Sequence, residues 1–219
     1  MSDSSKKRKT RRSRDSSPDD SPKYTKYTAK SFPPLSAKSH IKPIADLEFS
    51  VFVPPEVFIM RVKSKSYPKT SVPYQLLNRL RSSIKPNIPY EDALEHIKEH
   101  VESNKCKYLR KSVAIESAEE SNIGCIIKTR KGQMVGFFTI YFTVKDRGAD
   151  SSIYSAFVDI LCGHPDYSGI GSEALNYIKT HICEPLGIRK IELESITESL
   201  GFYLKKGFQC NPCKLKLDV

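Results

Sequence analysis

His164-Pro165-Asp166-Tyr167-Ser168-Gly169-Ile170-Gly171-Ser172-Glu173 joins an apolar run, Ile153 to Cys162, to an amphipathic one, Ala174 to Ile182. A strand that feeds a glycine turn and then a helix builds an anion site. Glycines let backbone N–H groups approach an oxyanion with no Cβ in the way. The helix start adds unpaired N–H donors and the positive end of its dipole. The turn is therefore read as a phosphate cradle.

The elements on either side follow from periodicity. Upstream, Cys125 to Thr129 and Met134 to Val144 read as strands joined by the tight turn Lys131-Gly132-Gln133. Val135, Phe137, Phe138, Ile140, Tyr141 and Phe142 are apolar on both faces, as a central strand requires. Tyr154 to Cys162 is a second buried strand. Downstream, Ser172 to about Cys183 is a helix with Ala174, Leu175, Ile178 and Ile182 inward, ending before Pro185 and Gly187. Ile188 to Ser195 is a strand, Thr197 caps a helix running to Lys206, Gly207 stops it, and Lys214 to Val219 closes the sheet. Strand–helix–strand from 154 to 195 implies a parallel, right-handed crossover. Further upstream, Phe49–Val53 and Val57–Val62 read as strands. Tyr74–Arg81 reads as one or two helical turns. Pro89–Glu102 is a helix with Ala93, Leu94, Ile97 and Val101 on one face. The sum is an α/β fold, a mixed central sheet flanked by helices.

The 219-residue chain carries a net charge of +11. Residues 1–31 hold ten Lys/Arg against four Asp, so +6 of that charge lies in this segment. Two parts are expected: a disordered basic tail over 1–44, rich in Ser, Lys, Arg and Pro, and a folded domain over 45–219. The run Lys6 to Arg14 is either a nuclear address, a non-specific nucleic-acid contact or a solubilising tail. There is no secretory signal and no run long enough for a membrane helix. Six scattered cysteines among apolar neighbours fit a reduced, intracellular protein, cytoplasmic or nuclear.

The segment Ile153 to Phe208 resembles the cofactor-binding half of GNAT-superfamily N-acetyltransferases. Three pieces carry the resemblance. They are the strand ending Leu161-Cys162-Gly163-His164-Pro165-Asp166-Tyr167, the helix start Gly169-Ile170-Gly171-Ser172, and Phe202-Tyr203-Leu204-Lys205-Lys206-Gly207-Phe208. The hairpin with Met134-Val135-Gly136-Phe137 extends it over roughly residues 110–210. The resemblance implies a GNAT fold and direct acetyl transfer from acetyl-CoA to a primary amine, a protein lysine, an N-terminus or a small molecule. It places the pantetheine chain along Leu161, Cys162 and Gly163, and the pyrophosphate on the N–H groups of Ser168, Gly169, Ile170, Gly171 and Ser172. One departure stands out. The family's Arg/Gln before the glycines is missing, so either the loop is about two residues short or Asp166 takes that place. Reduced cofactor affinity, or an inactive binding module on the same fold, follows as the alternative.

Tyr203, in the family's Tyr-x-x-x-Gly-Phe context, is the expected acid for the departing CoA thiolate, against a purely packing role beside Phe202. The attacking amine must be neutral, so a base is needed. Asp159 is the candidate: a carboxylate in an apolar strand, on the face of Phe157 and Leu161, serving either as base or as an ion-pair partner. Glu192 and Glu194 read as a solvated strand face. His164 reads as a turn residue. Cys210-Asn211-Pro212-Cys213 lacks a second Cys/His pair for zinc and reads as a hairpin turn, so no metal is expected. The charge balance favours an acidic partner, and the acceptor amine is not specified.

Overall fold

A computed structural model describes residues 42–43, 46–56, 71–106, 108–145, 152–211 and 214–219. The tail expected over 1–44, apart from 42–43, and the strand expected over 57–62 lie outside these residues. In chain order the elements are β1 (Lys42–Pro43), β2 (Leu47–Phe52), α1 (Val72–Ser83), α2 (Tyr90–Glu102), α3 (Lys111–Glu120), β3 (Ile123–Thr129), β4 (Met134–Lys145), β5 (Ser152–Gly163), β6 (Tyr167–Ser168), α4 (Ile170–Tyr177), β7 (Lys190–Leu193), α5 (Thr197–Lys205), β8 (Gln209–Asn211) and β9 (Lys214–Asp218). A π-helical segment, Ile178–Cys183, continues α4.

Seven strands share one sheet in the order β2-β3-β4-β5-β7-β9-β8. Every neighbouring pair is antiparallel except β5 and β7, which run parallel as the strand–helix–strand order requires. β1 and β6 form a separate parallel pair, Lys42 opposite Tyr167 and Pro43 opposite Ser168. This pairing seats residues 42–43 beside the approach to the glycine turn, inside the stretch read as tail. The last strand does not close the sheet; β9 lies inside, between β7 and β8, and β8 is the edge.

Each face of the sheet carries its own core. On one face Val135, Phe138, Ile140 and Phe142 of β4 meet Leu77 of α1, Ala174 and Leu175 of α4, and Ile178 and Ile182 of the π segment. On the other, Phe137 meets Phe52 of β2, Ala93, Ile97 and Val101 of α2, and Ala114 and Ala118 of α3. Apolar residues on both faces thus mark β4 as a central strand. The β3–β4 turn forms as expected: Gly132, at φ +77°, donates its N–H to the Thr129 carbonyl at 2.8 Å. Helix α1 is capped by Ser71, whose hydroxyl oxygen accepts from the Tyr74 N–H. Thr197 is not a cap; the cap position of α5 is Ile196, with no side-chain hydrogen bond. Among the described residues no helix is long and apolar enough to cross a membrane.

The expected solvated face of β7 is half wrong. Glu192 is buried, accepts a hydrogen bond from the Ser155 hydroxyl at 2.8 Å, and lies 3.5 Å from Lys190 and 3.6 Å from Lys216. Two ammonium groups and a hydroxyl make its burial tolerable. Glu194, one step past the strand end, is exposed.

Candidate active site

The parallel pairing of β5 with β7 covers three residue pairs: Ala156 with Ile191, Phe157 with Glu192, and Val158 with Leu193. Beyond Leu193 the chain leaves the sheet, while β5 continues to Gly163. A cleft of about 340 Å³ opens in the middle of the sheet as a result. Its β5 wall runs from Val158 to Gly163, its other wall from Leu193 to Ile196, and Tyr203 lines it from α5.

The register fixes which groups of β5 face this gap. The Ile160 N–H donates to Thr139 Oγ1 at 3.2 Å and the His164 N–H to the Val135 carbonyl at 2.7 Å, so the even residues turn their main chain toward β4. Alternation then turns the main chain of Leu161 and Gly163 toward the gap. An extended ligand entering there finds strand groups to pair with. Among the described residues no strand lies on that side of β5 beyond Val158.

Asp159 departs from its expected place. β4 and β5 lose register between Thr139, opposite Ile160, and Ile140, opposite Val158, so Asp159 is the extra residue of a β-bulge. The bulge resets the alternation. Asp159 therefore joins the face of Ile160 and Cys162, whereas Leu161 packs against the opposite core. Its carboxylate is exposed rather than buried, and its partner is not a cation: it accepts from the Ser117 hydroxyl of α3 at 2.5 Å. Ser117 also lies 2.6 Å from Thr139 Oγ1. The neighbouring Tyr141 hydroxyl is held well above the usual tyrosine range, first by burial and then by the carboxylates of Asp159, Glu120 and Glu116. Of these carboxylates Asp159 lines the cleft, together with Glu194 on the opposite wall, so the rim of the cleft is acidic.

Tyr203 is buried, with its ring edge-on to Phe202 and Phe208. Burial pushes its hydroxyl up to about 12. It remains an O–H donor across the physiological range. The same shift sets a sign for stability. In the unfolded chain a tyrosine ionises near pH 10, before the folded one does. The folded state then holds the extra proton, and stability present below pH 10 is lost as pH rises toward 12. Urea unfolding between about pH 9 and 11 should show a falling midpoint, less steep in Tyr203→Phe; parallel slopes in the two proteins would exclude this tyrosine as a contributor.

The glycine turn stands at the head of α4. Gly169 holds φ +93° at the helix N-cap, and nothing lies within 4 Å of where its Cβ would be. The Ser172 N–H is already spent on the Gly169 carbonyl at 2.9 Å, which leaves Ile170 and Gly171 as the first-turn amides without an intrahelical acceptor. A Cβ on Gly136 would fall 2.4 Å from the Cys162 carbonyl oxygen. The β5 wall can stand where it does only because that residue is glycine. Asp166, the odd residue of the loop, is exposed, with a carboxylate oxygen 3.9 Å from His164 Nδ1. His164 itself is a buried turn residue whose Nδ1 accepts from the Asp166 N–H at 3.2 Å.

The cysteines correct the reduced reading. Cys106 and Cys162 form a disulfide across 56 residues of sequence, and both line the cleft. Cys125 and Cys183 are buried free thiols, and Cys210 is an exposed one. Cys213 lies outside the described residues.

No family model and no curated protein matches the sequence. Among solved structures the chain is similar to Tetrahymena GCN5, at 13% identity over 59% of this chain and 88% of that one, with a TM-score of 0.45. It is also similar to Ard1 from Thermoplasma volcanium, at 18% identity over 60% and 94%, with a TM-score of 0.43. A third likeness is to an AtaT mutant toxin bound to the C-terminus of the antitoxin AtaR and acetyl-CoA, at 12% identity over 80% and 94%, with a TM-score of 0.40. Likeness at these levels carries no argument about activity.

Proposed function

We propose that this chain is an acetyl-CoA-dependent N-acetyltransferase whose acceptor is a cationic amine. The gap between β5 and β7, with Tyr203 on its wall, is the observation that carries the reading. Acetyl-CoA would supply the thioester. The main chain of Leu161 and Gly163 would hold the pantetheine as an added strand, with Cys162 between them turned toward β4, and the amides at Gly169, Ile170 and Gly171, with Ser168 and Ser172 flanking, would receive the pyrophosphate. These are backbone contacts, so the missing Arg/Gln weakens the cradle without removing it.

The amine nitrogen attacks the thioester carbon, the C–S bond breaks, and its electron pair goes to sulfur. Tyr203 donates a hydrogen bond to that sulfur. A hydroxyl pushed up to about 12 does not readily give its proton to a thiolate whose thiol titrates near 8.5. Its contribution is therefore a hydrogen bond to developing charge, with the proton arriving later from water. Asp159, with Glu116 and Glu120 close to the same hydroxyl of Tyr141, draws the ammonium form of the acceptor. It takes up, through water, the proton that the amine loses. This acidic rim favours a cationic acceptor, whereas the positive charge of the whole chain favours an acidic macromolecule. The rim is the local field at the reaction, and it governs the small acceptor.

Calorimetric titration with acetyl-CoA, followed by thiol release on adding a polyamine or a lysine-rich peptide, tests the reading. Saturable binding with amine-dependent release is expected. Binding without release identifies the inactive module instead, and no binding removes both. The basic run Lys6–Arg14 lies outside the described residues; deleting residues 1–31 and measuring nucleic-acid binding at several salt concentrations tests it separately.

A further inference from the structure

Three donor side chains converge at the β5 wall of the cleft, and a fourth, His164, stands beside them. His100 comes from the last turns of α2, Cys106 from the segment after it, Cys162 from the end of β5 and His164 from the turn that follows. One ring nitrogen of His100 and the sulfurs of Cys106 and Cys162 all lie within 4.8 Å of one another. The ring of His164 stands 6.0 Å from that of His100, centroid to centroid. Both histidines are deeply buried, 5% and 3% exposed, and the Nε2 atom of each has no hydrogen-bond partner. A buried polar nitrogen left unpaired is destabilising, because it gives up its bond to water and gains none in the protein. Two of them beside two sulfurs is an arrangement that packing does not explain.

We propose that the reduced protein binds one Zn²⁺ here, through the thiolates of Cys106 and Cys162 and the imidazoles of His100 and His164. Two thiolates and two imidazoles are a tetrahedral zinc donor set. With Zn–N near 2.1 Å, two imidazoles on one tetrahedral ion stand roughly 5 Å apart between centroids. From the observed 6.0 Å, the His164 ring has to close on His100 by about 1 Å to join the other three donors. The second shell is also present. In the metal-free state the Asp166 N–H donates to His164 Nδ1, which places the ring proton on the unpartnered Nε2. Ligation through Nε2 moves that proton to Nδ1, so the Asp166 N–H must turn away and the Asp166 carboxylate, now 3.9 Å off, close in to accept it. No local Cys-x-x-Cys spacing signals this site, because its donors come from elements far apart in sequence.

The disulfide and the metal exclude each other. A dithiol reductant gives two electrons to the Cys106–Cys162 bond, which breaks to two thiolates; the reductant becomes its own disulfide, and its two protons leave as zinc binds. A peroxide reverses the change by taking two electrons from the thiolates, re-forming the S–S bond and releasing zinc.

Cobalt(II) reads the site directly. Full-length protein, reduced with a phosphine, desalted under argon and titrated with Co²⁺, should show tetrahedral d–d bands and a thiolate-to-cobalt charge-transfer band that saturate at one equivalent. One equivalent of Zn²⁺ should erase both, air-oxidised protein should show neither, and Cys162→Ser should lose the charge-transfer intensity. Cys210→Ser, which alters only an exposed thiol, should keep both bands, so the test does not depend on whether Cys162→Ser folds. Reduced wild type showing only the spectrum of hydrated cobalt overturns the proposal. So do bands that persist at full strength in a Cys106→Ser/Cys162→Ser protein, because they would belong to Cys210 and Cys213.

Discussion

Tyr203→Phe should bind acetyl-CoA as tightly as the wild type and turn over about 10²–10³-fold more slowly, the range that losing one preorganised hydrogen-bond donor costs. The ring stays, so the contacts with Phe202 and Phe208 stay, and the cleft keeps its wall. Only the hydroxyl goes. Because that hydroxyl acts on charge that appears as the C–S bond breaks, its loss falls on kcat and spares binding. Its pKa, near 12, adds a second expectation: no alkaline limb of the wild-type rate profile below about pH 11 belongs to Tyr203. Equal kcat in the two proteins would return Tyr203 to a packing role.

Phe52→Ala should lower the unfolding free energy by about 3–5 kcal/mol, the usual cost of emptying a buried aromatic site. Phe52 is fully buried on the face that carries α2 and α3, against Ile97, Ile126 and Phe137. Its ring occupies space that only a glycine opposite leaves free. Phe52 pairs with Gly124, and a Cβ there would lie 2.0 Å from the ring's Cζ. Gly124→Ala alone should cost about 1–3 kcal/mol by overpacking. The two changes together should cost less than their sum, because the alanine at 124 fills part of the hole left at 52. Chemical denaturation of the four proteins measures this; strict additivity would mean that the two positions do not share the space.

What was legible in the sequence was local. The β3–β4 hairpin, β5 and the glycine turn into α4 were each announced by an apolar run next to a turn residue. Helix α3 was not, because the face it buries is Ala114, Ser117 and Ala118, too small to give an apolar stripe. The bulge at Asp159 defeats counting by twos: one extra residue turns Leu161 to the face opposite Asp159, and nothing in the adjacent residues signals it. Burial of Glu192 depends on Lys216, which β9 brings from 24 positions away by inserting beside β7. The disulfide joins positions 56 apart on different elements. In the last two cases the deciding contact was long-range.

The three paired residues between β5 and β7 are a narrow seam. On one side stands the broad panel that carries Asp159; on the other, a smaller panel of β7, β9 and β8, with α5 and Tyr203 attached. A molecule wedged into the opening and hydrogen-bonded along its rim would lengthen that seam. The two groups proposed for the reaction belong to opposite panels, which the sheet joins here through those three pairs alone.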